Sequence, residues 1–106
     1  MILSEYKKHK NSKLNAHLLW DMDLKNFDYI NGKKIVVERT VERGDLNDWW
    51  AILNMYGVET VKDEIKNIPM MKKRDMNFVH KFFSIPLEEL KSYRNFLIGK
   101  KHWTEE

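Results

Sequence analysis

Glu42-Arg43-Gly44-Asp45-Leu46-Asn47-Asp48-Trp49 is the stretch on which the fold turns. It reads as the end of one helix and the start of the next at a single corner. Gly44 can take the left-handed backbone that closes a helix C-terminus. Asp45 can then serve as N-cap, its carboxylate accepting N–H bonds that a first helical turn leaves open. Asp48 adds negative charge to that turn, where the helix dipole favours it. Two helices thus turn about one point, and Trp49 packs just past it.

Upstream of the corner, residues 33–43 carry conflicting signals. Ile35, Val36, Val37, Thr40 and Val41 are β-branched and favour strand by propensity. Their order (three apolar, two charged, Thr40-Val41, two charged) is nearer a helical period than a period of two. The corner also needs a helix before it, so helix is expected. Further upstream, Asp23 is a plausible cap for a short turn over 24–29, which Asn31-Gly32 breaks.

Downstream, residues 46–56 give the clearest helix, with Leu46, Trp49, Leu53 and Tyr56 on one face and Gly57 at its end. Residues 58–67 place Val58, Val61 and Ile65 on one stripe, and Pro69 stops them. Residues 72–83 place Met76, Val79 and Phe83 on a stripe, with Phe78 and Phe82 beside it. Pro86 opens the last helix at its first position, Leu90, Tyr93 and Leu97 point inward, and Gly99 closes it. The expected fold class is all-α: a compact bundle of about five short helices with tight Gly/Asp and Pro turns. Residues 1–13 are expected to form a basic, frayed arm, 14–99 a single helical domain and 100–106 a polar tail.

A chain of 106 residues has room for one modest core. It holds 19 lysines and arginines against 16 acids, a net charge of +3. The distribution says more than the sum: residues 1–13 and 71–106 are basic, and 14–70 are acidic. A protein built only to hold a phosphate backbone concentrates base on one face. Acid between basic flanks suits pairing within the chain, or a charged protein partner. There is no cysteine, so no disulfide framework and no thiolate site. No apolar run suits a secretory leader or a membrane span, and a cytoplasmic location is expected.

Candidate chemistry is sparse. Asp21-Met22-Asp23 has the Asp-x-Asp spacing of many magnesium sites, but no glycine-rich phosphate cradle lies near, and Asp23 has the simpler role of a cap. His9, His17, His80 and His102 have no zinc-ligand spacing. Ser4, Ser12, Ser84 and Ser92 have no apparent activating base. No catalytic residue, metal or cofactor is expected, and the chain does not read as an enzyme.

Binding is better represented. Trp49 and Trp50 are adjacent, so on a helix they point about 100° apart. Trp49 shares the inward stripe. Trp50 is expected to be peripheral, either packed under a neighbouring element such as a terminal arm or presented to a partner, and exposed tryptophan favours binding hot spots. Trp50 and Trp103 are therefore the candidate partner-binding residues. Lys72-Lys73-Arg74 stands at a helix start, where the dipole disfavours cations. A bound anion would explain it, which makes Lys72, Lys73 and Arg74 the candidate anion- or nucleic-acid-binding residues; a solvated charge cluster is the plainer reading.

Four pieces taken together resemble a family of short prokaryotic helical domains: His17-Leu18-Leu19-Trp20-Asp21-Met22-Asp23, the run from Val37 through Glu42-Arg43-Gly44-Asp45-Leu46 to Asp48-Trp49, Tyr56-Gly57, and Met76-Asn77-Phe78. The likeness spans roughly residues 17–92; its specific parts are the Trp-Asp-x-Asp and Gly-Asp-Leu-x-Asp-Trp pieces. Such proteins are often encoded beside nucleotidyltransferase-like toxins of the abortive-infection type. The resemblance implies an antitoxin-like or accessory protein whose partner is another protein, and it transfers no catalytic residue. A DNA-binding regulatory domain is the alternative expectation. This chain departs from the pattern at Lys72, where a Ser or Thr cap would precede the helix.

Overall fold

The computed structural model describes residues 3–104, and side chains as far as residue 99. Five α-helices follow one another: α1 (Lys33–Arg43), α2 (Leu46–Tyr56), α3 (Val58–Asn67), α4 (Lys73–Phe83) and α5 (Lys91–Thr104). Short 3-10 helices occur at Leu3–Lys8, Ala16–Leu19 and Leu87–Glu89. No strand occurs among the described residues, so the fold is all-α, as the periodicity implied.

The corner is built by carboxylates. Asp45 is the N-cap of α2: its side chain accepts the Asp48 N–H at 3.0 Å, and Asp48 reciprocates by accepting the Asp45 N–H at 2.9 Å. This is a capping box with aspartate in the place that glutamate or glutamine usually fills. Gly44 plays a different part from the one its position suggested. Its backbone is extended, with φ −71° and ψ 154°. A glycine suits the place because a Cβ there would lie 2.7 Å from the Thr40 carbonyl oxygen and 2.8 Å from Thr40 Cγ2. The chain leaves α1 so closely that no side chain fits. Among the described residues the positive-φ positions are Gly57 (φ 86°) and Ser84 (φ 54°).

α1 is helical despite its β-branched content because Val36, Val37, Thr40 and Val41 form one buried face. Thr40 is fully buried and satisfied, its hydroxyl donating to the Val36 carbonyl at 2.8 Å. α1 packs on α2 and α3, and α3 packs on α5. Val36, Ile52, Val61, Ile65, Val79 and Leu90 meet in the common core with no exposure to solvent. α4 joins through aromatic side chains: Trp49 of α2 meets Phe78 and Phe83 at 5.5 Å between ring centroids.

Three elements differ from the sequence expectations. α4 begins at Lys73, with Lys72 as an N-cap that makes no side-chain capping bond. Pro86 opens the 3-10 helix Leu87–Glu89, and α5 starts only at Lys91 and runs through Gly99. On that later start Leu97 faces solvent, while Leu90 and Ser92 are buried. Asp23 accepts from the Lys25 N–H and the Asn26 amide in a local turn that does not extend to Tyr29. Asp28 instead organises the next bend, accepting from Ile30 and Asn31.

The N-terminal segment is integrated with the bundle. Leu3–Lys8 packs against α2. Asn54 donates to the Tyr6 and His9 carbonyls at 2.9 and 3.2 Å. The His9 ring stacks on Trp50 at 5.2 Å with a 3° interplanar angle. No helix among the described residues is long and apolar enough to cross a membrane.

Candidate functional site

The sequence candidates are dispersed. Trp50 is buried, only 4% exposed, with His9 on one side and Phe82 6.1 Å away on another. It is covered rather than presented, because it joins the hydrophobic core and the N-terminal segment closes over its outer side. The Trp103 side chain lies outside the described residues. The basic triplet separates: Lys72 lines a cleft with Met70 and Met71, Lys73 places its ammonium 5.0 Å from the Phe96 ring centroid, and Arg74 stands exposed at the start of α4. The three cations converge on no common seat.

The Asp-x-Asp pair is likewise divided. Asp21 takes a two-pronged bond from Arg39, at 2.8 and 3.0 Å, and that guanidinium also donates to the Leu18 carbonyl. The Arg39 hydrogen bond holds the Asp21 carboxyl below the usual carboxylate range. Asp23 spends its oxygens on its own turn. Among the described residues no three His, Cys, Asp or Glu side chains form a group that could hold a metal ion.

The structure instead brings together a groove between the α1–α2 corner and α4. Its volume is about 390 Å³, within the range of ligand-sized clefts. One bank is the corner itself, Glu42, Asp45 and Leu46; the floor is Val41 and Trp49; the other bank is Arg74, Asp75 and Phe78 of α4. The groove continues over α4 as a shallower depression of about 340 Å³ between Phe78, Phe82 and Lys81. A third cleft, of about 480 Å³, shares Glu42 and Asp75 with the groove and is lined also by Met70 and Lys72. Leu46 sits on the rim at 41% exposure, an apolar side chain left in solvent at the mouth of an apolar floor.

Two features here escaped the sequence reading. Trp20 is 72% exposed, although its neighbour Leu19 is core and its neighbour Asp21 is tied to Arg39. Among the tryptophans with described side chains, the exposed one is thus Trp20, and Trp50 is covered. Asp75 was hidden within a run of bases, yet it lies four residues before Val79 and so falls on the inward stripe of α4.

Comparison with known proteins adds one likeness. The model of a family of unknown function (DUF6922) matches residues 14–65, just under half of the chain. The chain is similar to that family from the segment before Ala16–Leu19 through most of α3, a span that includes Trp20, Arg39 and the corner. No curated protein and no solved structure matched.

Proposed function

We propose that the chain is a non-catalytic protein-binding domain, which docks a segment of another protein in the groove between the corner and α4. The observation that carries this reading is the groove's composition: an aromatic floor at Trp49, partly open Phe78 and an exposed Leu46 at the rim, with charge on both banks. Apolar anchors inside a polar rim are the anatomy of a protein–protein contact. The fitting occupant is a short helical or extended segment with an apolar side chain for the floor and a basic one for Glu42 and Asp45. The antitoxin-like or accessory role rests on the resemblance of the Trp-Asp-x-Asp and corner motifs alone.

Nucleic acid is the weaker reading. Arg74, Asn77 and Lys81 share one side of α4, as a recognition helix would require. Glu42, Asp45 and Asp75 lie against that side and oppose a phosphate backbone.

The test is affinity capture from host cells with the full chain beside a Leu46→Glu variant, which changes the rim without touching the core. A specific partner retained by the parent chain and lost by the variant is the expected result. Equal capture by both, or no specific partner, would refute docking in this groove. A DNA or RNA probe shifted at low ionic strength and released by salt would favour the weaker reading.

A further inference from the structure

The last helix leaves one side unused. In α5, Ser92 is buried, Asn95 donates to the Pro69 carbonyl at 2.9 Å, and the Phe96 ring centroid lies 5.0 Å from the Lys73 ammonium. These contacts define its inner side. At about 100° per residue, Lys91, Arg94, Leu97 and Ile98 fall on the opposite side. All four are exposed, Ile98 at 67%. A Cβ added at Gly99 would meet nothing within 4 Å beyond its own helix, so α5 at that point has run clear of the bundle. Residues 91–104 contain four bases and no acid. The outer face thus carries two cations followed by two aliphatic side chains. Arg94 is steadied there by donating to the Glu88 carbonyl at 2.7 Å.

We infer that this outer face of α5 docks into the groove at the corner of a second copy of the chain. The inference rests on the docking reading and names a further occupant for the same groove. Charge and shape select it. The groove has an apolar floor at Val41, Trp49 and Phe78, the exposed Leu46 at its rim, and Glu42 and Asp45 on its corner bank. Leu97 and Ile98, neighbours on one helical face, supply the apolar anchors that a helix-in-groove contact requires. Arg94 and Lys91, one and two turns back, supply the charge opposite to that bank. A phosphate backbone would be met by the cations alone and would leave the aliphatic pair without a task. A docked copy fills the groove that a partner would use, so self-association and partner capture exclude each other.

The experiment measures the mass of the full chain by sedimentation equilibrium at low ionic strength, from roughly 10 µM to roughly 1 mM. The expected result is a mass that rises above the monomer, with a midpoint on the order of 100 µM as befits a small contact, and that falls when salt is added. Ile98→Glu and Leu46→Glu alter exposed positions, and each should raise the midpoint about tenfold or more. Each variant keeps one intact half of the contact. An equimolar mixture of the two should therefore regain a dimer and nothing larger. A monomer throughout the range, association undiminished in either variant, or a mixture no more associated than its components would overturn self-docking. So would a monomeric chain that binds phosphatidylserine–phosphatidylcholine vesicles or duplex DNA and loses them in Ile98→Glu, since the face would then belong to lipid or nucleic acid. Each of these results leaves the docking reading itself to the Leu46→Glu capture from host cells.

Discussion

Asp48 binds Asn15 across 33 residues of chain: its Oδ1 accepts the Asn15 N–H at 2.8 Å while its Oδ2 accepts the Asp45 N–H at 2.9 Å. One carboxylate therefore both starts α2 and pins the segment that leads into Ala16–Leu19. Asn47 adds to the grip by donating to the Lys13 carbonyl at 2.9 Å.

Asp48→Ala removes both acceptors and leaves two N–H groups to find others. Hydrogen bonds to a charged group are worth more than neutral ones, and a cap adds to them. The expected loss is about 2–4 kcal/mol in urea unfolding. Asn47→Ala, which removes one exposed bond, is expected to cost less than about 1 kcal/mol. Equal losses would mean that Asp48 is not the joint between the two segments.

The glycines separate into three kinds. Gly44→Ala drives a methyl into a backbone carbonyl and should cost about 1–3 kcal/mol. Gly57→Ala meets open space but must hold φ 86°, at a cost of roughly 1–2 kcal/mol. Gly99→Ala lies inside α5 with nothing near it and should stabilise by about 0.5–1 kcal/mol. Thermal unfolding of the three variants tests the order, and destabilisation at Gly99 would contradict α5 running through it.

Trp49 and Trp50 are equally buried, each 4% exposed. Truncation of either to alanine should therefore cost about 3–5 kcal/mol, in place of the smaller loss that a peripheral Trp50 would give. His9→Ala removes only the stacked lid and should cost about 0.5–1.5 kcal/mol. A Trp50→Ala loss below that of His9→Ala would show that the N-terminal segment does not cover the indole.

Tyr56 links α2 to the bend before α1, its hydroxyl donating to the Tyr29 carbonyl at 2.7 Å. Burial first, then Tyr29, Asp28 and Glu64, push its phenol up from 10.0 to about 12. The folded chain holds this proton more tightly than the unfolded chain. The stabilisation is complete below about pH 10, the unfolded value, and is lost as pH rises through about 12. Denaturant midpoints should fall across that window, and Tyr56→Phe should flatten the fall. Tyrosinate absorbance should show one of the four tyrosines titrating late.

Helix positions were readable wherever apolar spacing and a punctuating residue agreed. α2 and α3 end at the glycine and near the proline that the sequence marks. α1 was readable because its apolar spacing, nearer a helical period, and the corner after it together outweigh the strand propensity of Val36, Val37 and Val41. What the sequence hid depends on contacts between distant segments. Gly44 looks like a left-handed cap, and only the approach of Thr40 shows why glycine is needed. Trp50 reads as peripheral, either under a terminal arm or open to a partner, and only the hold of Asn54 and His9 on the N-terminal segment shows that it is covered. The groove was not foreseeable from either wall, because Leu46 reads as a core residue and Asp75 as one charge among several.

The groove's two banks lie on either side of a boundary in the chain. The corner falls inside residues 14–65, the span similar to a family of unknown function, and α4 falls outside it. A protein sharing only that span would carry one bank of the groove and the Trp49 floor. The width and lining of the cleft beside its corner would then be set by whichever element packed there in place of α4.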